Sequence, residues 1–206
     1  MNYLATRTIG YNHIDLNAAK ELGIRVSNVA YSPYSVANFT VMLMLMINRQ
    51  IQQALLRNAC HDYSLQNLIG HELRNQTVGI LGTGRIGRVV AKNLSGFGCK
   101  IIAHDLTPDE SLTDLVEYVE FDTLLAQSDL LTLHIPLWEQ NYHLINETAM
   151  SKMKDRVKFI NAARGEIVDS EALIQAISDM VECGLRSLIN SLQLEKVTGN
   201  FNIHIN

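Results

Sequence analysis

The sequence lacks most features that would place it outside the cell, in a membrane or on nucleic acid. Its three cysteines, Cys60, Cys99 and Cys183, are odd in number and far apart. They form no Cys-x-x-Cys pair and no spacing with histidine suited to zinc, so neither a disulfide framework nor a metal is expected. They read as reduced thiols, and the expected location is cytoplasmic. Positive charge is not in excess, because 17 Lys and Arg stand against 21 Asp and Glu. A nucleic-acid or anionic-membrane partner is therefore not expected. No basic-then-apolar segment of the secretory kind opens the sequence. The most lipid-like run, Val41-Met42-Leu43-Met44-Leu45-Met46-Ile47, falls far short of the roughly twenty residues that cross a bilayer, and reads as a buried helix. Repeats and low-complexity tracts are absent.

What is present is a regular alternation of elements. The 206 residues, 47% hydrophobic and 18% charged, suit one domain, or one domain and a fragment of another. Met1 to Thr6 has the character of a strand interior. A helix follows with Asp15 as N-cap and Gly23 as C-cap, then a strand from Arg25 to Val29. Ser32-Pro33-Tyr34-Ser35 is a turn and cap before one long helix, Val36 to Arg57, and a polar connection runs from His61 to Gln76. Beyond it, strands are expected at Thr77–Leu81, Lys100–His104, Tyr118–Phe121, Asp129–His134 and Val157–Asn161. Helices are expected at Ile86–Ser95, Asp122–Gln127, Glu147–Met153 and Ser170–Ile177. The strands are near-continuous apolar runs, as when both faces of a parallel sheet are covered. The fold class read from this pattern is α/β, a doubly wound parallel sheet with ligand at the C-terminal ends of its strands.

The segment Thr77-Val78-Gly79-Ile80-Leu81-Gly82-Thr83-Gly84-Arg85-Ile86-Gly87 says what that ligand is. A strand ends in Gly-x-Gly-x-x-Gly and a helix begins at once. In a dinucleotide site Gly82 permits the tight turn, Gly84 admits a pyrophosphate against the backbone, and Gly87 lets helix and strand pack closely. The helix N-terminus adds free N–H groups and a positive dipole end. The next strand ends in Asp105, 18 residues after Gly87, where a carboxylate accepts hydrogen bonds from an adenine ribose. Asp105 is followed by Leu106-Thr107-Pro108 with no neighbouring cation, which favours NAD over NADP. The strand ends at Gly82, Asp105, His134-Ile135-Pro136 and Asn161-Ala162-Ala163-Arg164-Gly165 should then converge on one crevice. Most arginines are surface ion-pair partners. Arg164 differs, because a strand running into Arg-Gly sets a fixed cation where ligands bind.

Taken together, these segments resemble the D-isomer-specific 2-hydroxyacid dehydrogenase family, in particular its D-lactate dehydrogenase branch. The matching stretches are Thr6-Arg7-Thr8-Ile9-Gly10-Tyr11-Asn12-His13-Ile14-Asp15, Ala30-Tyr31-Ser32-Pro33-Tyr34-Ser35-Val36-Ala37, the methionine-rich helix, Val78 to Gly87, His134-Ile135-Pro136-Leu137 and Asn161 to Gly165. The resemblance implies hydride transfer between NAD(H) and a 2-oxo or 2-hydroxy acid such as pyruvate and D-lactate. It implies that the backbone around Ile9 and Gly10 binds the substrate carboxylate, and that Arg164 clamps the carboxylate and polarises the keto oxygen. On the cofactor side it implies contacts from Gly82, Gly84, Arg85, Ile86, Gly87, Asp105, Ile135, Pro136, Asn141, Ala162, Ala163 and Arg164. It also implies a homodimer formed through the long helix.

The resemblance runs from residue 1 to about 178. The expected division is a substrate-domain remnant over 1–31, a dinucleotide-binding domain over 32–178 and a divergent tail over 179–206. In the family the next strand reads Gly-x-Gly-x-Asp-Val and leads to a catalytic Glu and then a His. Here Asp179, Glu182 and Glu195 match no family position, and His204 sits in the wrong context, Asn202-Ile203-His204-Ile205. The chain reads as truncated at both ends, and impaired turnover is expected. The alternatives are a non-catalytic NAD-binding or oligomerising module and a decayed gene product.

Overall fold

The computed structural model describes residues 2–7, 10–11, 13–29 and 32–182, with the side chains of 178–182 left aside. The chain divides into two compact units, one ending at Ser35 and one beginning at Val36.

In the first unit, β1 (Tyr3–Ala5) pairs in parallel with β2 (Arg25–Ser27), and α1 (Leu16–Glu21) connects them. Asp15 caps α1, its Oδ1 accepting from the Asn17 and Ala18 N–H groups at 2.9 Å each. At the other end Leu22 is the cap residue, and Gly23 stands one step beyond it at φ +66°. There the Ile24 N–H reaches the Ala19 carbonyl and the Gly23 N–H the Lys20 carbonyl, at 2.8 and 3.1 Å. This left-handed closure satisfies carbonyls that a helix end leaves open, and a residue with a Cβ adopts it at a cost.

The second unit is built on a five-stranded, wholly parallel sheet. Its strands are β3 (Thr77–Leu81), β4 (Lys100–His104), β5 (Glu117–Tyr118), β6 (Leu130–Leu133) and β7 (Lys158–Asn161), in the order β5-β4-β3-β6-β7. The connecting helices are α4 (Gly87–Ser95), α5 (Phe121–Gln127) and α6 (Glu147–Ser151), and α7 (Ser170–Glu182) follows β7. Residues along each strand alternate between two cores. Val78, Ile80, Ile101, Ala103, Leu130 and Ile160 join one, which also holds Val90 and Leu94 of α4. Leu81, Ile102, Leu131 and Leu133 join the other, with Leu124 and Leu125 of α5. Burial on both faces is why these strands read as unbroken apolar runs.

The long helix expected from Val36 to Arg57 is two helices. The first, α2 (Pro33–Asn48), buries Ala37, Thr40, Val41, Met44 and Asn48, a single stripe at helical spacing. The second, α3 (Ile51–Ala59), starts after Gln50, whose φ of 52° lies in the left-handed region. Tertiary bonds at Asn48 accompany the break. Its carbonyl accepts from the His71 N–H at 2.9 Å, and its Oδ1 from Lys158 Nζ at 2.6 Å. Neither glycine nor proline marks the spot, so local propensity gives no sign of it. Among the described residues no helix is long and apolar enough to cross a membrane.

Candidate dinucleotide and substrate site

The strand order places β3 at the centre, with the chain moving outward through β4 and β5 on one side and through β6 and β7 on the other. A crevice therefore opens beyond the C-terminal ends of β3 and β6, where the winding reverses. Backbone bonds tie these ends together. The Gly82 N–H reaches the His104 carbonyl at 2.9 Å, and the His134 N–H reaches the Leu81 carbonyl at 2.7 Å.

The glycines act differently, and each as the motif requires. Gly82 has φ +93°, and a Cβ there would lie 2.7 Å from Ile135 Cγ2 and 3.0 Å from the His134 carbonyl. A Cβ on Gly87 would collide with the Gly82 carbonyl oxygen. A Cβ on Gly84 would meet nothing within 4 Å, so the backbone there faces open space. Ile86, the residue before α4, gives no side-chain cap to the helix N–H groups. The open approach at Gly84 leaves room for a pyrophosphate at this helix start, although the Arg88 and Val89 N–H groups already reach the Gly84 and Ile86 carbonyls at 3.1 and 2.9 Å. Arg85 is exposed and Ile86 half-buried on the same turn.

Asp105 follows the last residue of β4 with its carboxylate already held. Oδ2 accepts from the Thr83 N–H at 2.6 Å and from Thr83 Oγ1 at 3.1 Å, and Oδ1 accepts from the Thr107 N–H at 2.9 Å. A carboxylate has about four lone-pair sites, so roughly one remains for a ligand hydroxyl. Thr83, the residue between the first two motif glycines, is itself only 2% exposed. Sequence reading missed it, and it missed Tyr118, whose hydroxyl donates to Thr83 Oγ1 at 3.0 Å. The one available signal was a hydroxyl at the inner position of Gly-x-Gly. No cation neighbours Asp105 in sequence; further along its hydrogen-bond network Arg88 of α4 pairs with Asp109 at 2.5 Å, and the Asp109 N–H donates to the Tyr118 hydroxyl at 2.9 Å.

The segment after β6 carries Ile135, half-buried, and Pro136, exposed. Asn141 braces this loop with both ends of its amide. Nδ2 donates to the Pro136 carbonyl at 2.6 Å, and Oδ1 accepts from the Trp138 N–H at 2.7 Å. At the mouth of the loop, His134 Nε2 lies 3.1 Å from Thr132 Oγ1, while Nδ1 is buried with no hydrogen-bond partner among the described residues. Burial pushes the imidazole down to about 4, so His134 is neutral at physiological pH. It offers a ligand a hydrogen-bonding nitrogen but not a ready proton.

After β7, Asn161 shapes the turn that presents Arg164. Its Oδ1 accepts from the Ala163 N–H at 2.9 Å, and its Nδ2 donates to the Arg164 carbonyl at 2.7 Å. Ala162, Ala163 and Arg164 are all half-buried. The guanidinium touches the Ala163 carbonyl through Nη1 at 3.1 Å, and among the described residues no carboxylate pairs with it. Of the remaining sequence candidates, Ile9, Glu195 and His204 lie outside the described residues, and Gly10 belongs to the first unit.

Comparison with known proteins is consistent with this geometry. Residues 41–181 match the profile of the D-isomer specific 2-hydroxyacid dehydrogenase, NAD binding domain. The aromatic 2-oxoacid reductase of Clostridium sporogenes is 50% identical over 179 residues, which is 86% of this chain and 54% of that protein. Among solved structures, the apo D-lactate dehydrogenase of Escherichia coli aligns with a TM-score of 0.81 at 42% identity, covering 86% of this chain and 57% of its own. The D-lactate dehydrogenase of Aquifex aeolicus, solved with NAD and lactic acid, aligns with a TM-score of 0.81 at 37% identity, over 87% of this chain and 55% of its own. The chain thus spans about half the length of the relatives it matches.

Proposed function

The chain belongs to the D-isomer-specific 2-hydroxyacid dehydrogenase family, and on that premise we propose that it carries the cofactor half of an enzyme moving a hydride between NAD(H) and C2 of a 2-oxo or 2-hydroxy acid. The observation that carries the reading is the stitched convergence of β3, β4 and β6 on an open Gly84, with a braced Asp105 beside it. The donor set suits the cofactor. The glycine-loop backbone and the positive end of the α4 dipole would hold the pyrophosphate, and the free acceptor site of Asp105 would take a ribose hydroxyl. NADH, when bound, supplies the hydride.

The chain's own residues set the rest. Arg164, with no carboxylate on it among the described residues, is the cation for a 2-oxo acid, and its planar fork suits a two-point clamp on the carboxylate and keto oxygen. The backbone at Ile9 and Gly10 is the proposed second hold on that carboxylate. The developing alkoxide also needs a proton, and no residue of the 206 matches the family's His or its Glu partner. His134 does not fill the role, because it is unprotonated at neutral pH. NADH-dependent reduction of pyruvate by this chain is therefore expected to run at least about a hundredfold below a full-length relative. An aromatic 2-oxo acid is the second substrate to assay, since the Clostridium sporogenes relative is named for one.

The test is NADH binding and pyruvate turnover measured on the same purified chain. Binding with slow turnover supports the reading, and Arg164→Lys should then abolish the residual rate. Binding with no turnover selects a non-catalytic NAD-binding module, and absence of both overturns the site. We also propose a homodimer through α2. Phe39, Met42 and Ile47 are exposed on it, and an open apolar groove lies along Val41, Met42, Leu45 and Met46. A clean monomer by sedimentation at micromolar concentration would contradict this.

A further inference from the structure

Five polar contacts run in one direction around the adenine side of the glycine loop. Arg88 Nη2 lies 2.5 Å from Asp109 Oδ2. The Asp109 N–H donates to the Tyr118 hydroxyl at 2.9 Å, Tyr118 donates to Thr83 Oγ1 at 3.0 Å, and Thr83 Oγ1 donates to Asp105 Oδ2 at 3.1 Å. The Thr83 N–H reaches the same carboxylate oxygen at 2.6 Å. The sense of the chain is forced at its start. A backbone N–H only donates, so the Tyr118 oxygen accepts and its own proton is left for Thr83. Thr83 in turn turns its proton toward a carboxylate that only accepts. Hydrogen bonds aligned head to tail polarise one another, so the whole chain stiffens and holds the Asp105 carboxylate in one orientation.

Asp109 does two things at once in this arrangement. Its backbone anchors the chain that sets Asp105, and its side chain occupies a guanidinium. Ser111 Oγ at 2.7 Å and the Ser111 N–H at 3.0 Å hold its other oxygen, and together with Arg88 they keep its carboxyl below the ordinary carboxylate range. An arginine near the ribose acidic residue is what a dinucleotide site uses to accept a 2′-phosphate. Arg88 stands on the first turn of α4 and is ion-paired with Asp109, an attraction of charge alone because Asp109 Oδ2 accepts no hydrogen bond.

We propose that Asp109 and Tyr118 are specificity-determining positioning residues: Tyr118 fixes Asp105 for a 2′-hydroxyl, while Asp109 withholds Arg88 from a 2′-phosphate. The proposal rests on the crevice being an NAD(H) site, and it adds that the selection against NADPH is held by a second carboxylate outside the glycine motif. It also makes Arg88 a latent 2′-phosphate ligand.

Calorimetric titration of the full chain with NADH and with NADPH tests this without any turnover. Asp109→Asn keeps the size of the side chain and an oxygen for Ser111 but loses the charge that holds Arg88. It should tighten NADPH about tenfold while NADH changes by no more than about twofold. The double variant D109N/R88Q should return NADPH to its original weakness, a reversal that general damage to the loop would not produce. Tyr118→Phe removes only the relay hydroxyl and should weaken NADH about threefold to tenfold, leaving NADPH nearly unchanged. Equal NADPH affinity in the original chain and Asp109→Asn, or a gain that survives in the double variant, would overturn the proposal. If the original chain binds neither cofactor, the NAD(H) site itself is wrong and the inference falls with it. Intact NADH binding with an unmoved ratio strikes the Asp109 and Tyr118 roles alone.

Discussion

The two ends of the five-stranded sheet are treated in opposite ways. At the N-terminal end the charged side chains are paired, although Asn48 Nδ2 and Gln76 Oε1 are buried without a hydrogen-bond partner among the described residues. Asp129, just before β6, accepts from the Thr77 N–H and from Lys154 Nζ at 2.8 Å each, and its backbone exchanges bonds with Thr77 and Lys158. Lys158 Nζ lies 2.6 Å from Asn48 Oδ1, tying the end of α2 to the start of β7. At the C-terminal end groups are left open. Gly84 faces space, His134 Nδ1 has no partner and Arg164 has no carboxylate among the described residues. The sheet supplies the same backbone geometry at both ends, so the contrast comes from the residues placed there. Ion pairs are gathered at one end, while the other carries an open backbone turn and an arginine without a carboxylate among the described residues.

Substitutions should separate the two ends. The largest effect is expected from Gly87→Val, which drives a branched side chain into the Gly82 carbonyl. It should destabilise the fold by about 1–3 kcal/mol and abolish NADH binding, read by thermal melting and by titration. Asp105→Ala is next at the open end. It should weaken NADH by about tenfold and reduce discrimination against NADPH, and it should also cost about 1–2 kcal/mol of stability because the buried Thr83 N–H loses its acceptor. At the paired end only stability should change. Asp129→Ala should cost about 1 kcal/mol, a modest figure because the Lys154 pair is partly screened by water, and leave the NADH to NADPH ratio unmoved.

Two pH windows follow from the same contrast. Burial lowers the imidazole of His134 from 6.5 to about 4. Between those values the unfolded chain binds the proton that the folded chain refuses, so stability falls as pH drops through the window. His134→Gln should flatten that slope in denaturant midpoints measured across it. Burial would raise Asp129, but Lys154 and the Thr77 N–H outweigh it and hold the carboxyl below its ordinary 3.8. Its stabilising share is therefore present above that ordinary value and lost as pH falls through the depressed one. Asp129→Asn should remove that acid-limb component alone. The smallest change is expected from Lys158→Met, within about 1 kcal/mol, since losing the bond to Asn48 is offset by no longer desolvating an ammonium.

Much of this architecture is legible in the sequence, for a physical reason. Strands buried on both faces are apolar along their interiors, so the runs within Thr77–Leu81 and Lys100–His104 stand out in the sequence. The glycine spacing identifies a turn that tolerates no Cβ at Gly82 or Gly87. The break at Gln50 is hidden, because it accompanies bonds from His71 and Lys158 that lie far away in sequence. The Thr83, Tyr118 and Asp109 chain is hidden for the same reason, since each link joins a different loop or strand. Asn141 carries a role that its sequence position does not announce, since both ends of its amide brace the loop after β6.

Occupancy of the open-end crevice by NADH is directly measurable through the chain's one tryptophan. Trp138 follows Pro136 on the loop braced by Asn141, and its emission overlaps the absorption of a reduced nicotinamide. Titrating NADH into the purified chain should quench Trp138 saturably, with NADPH at least about tenfold weaker and Gly87→Val showing no quenching. Quenching by both cofactors at equal concentration, or quenching that persists in Gly87→Val, would contradict it.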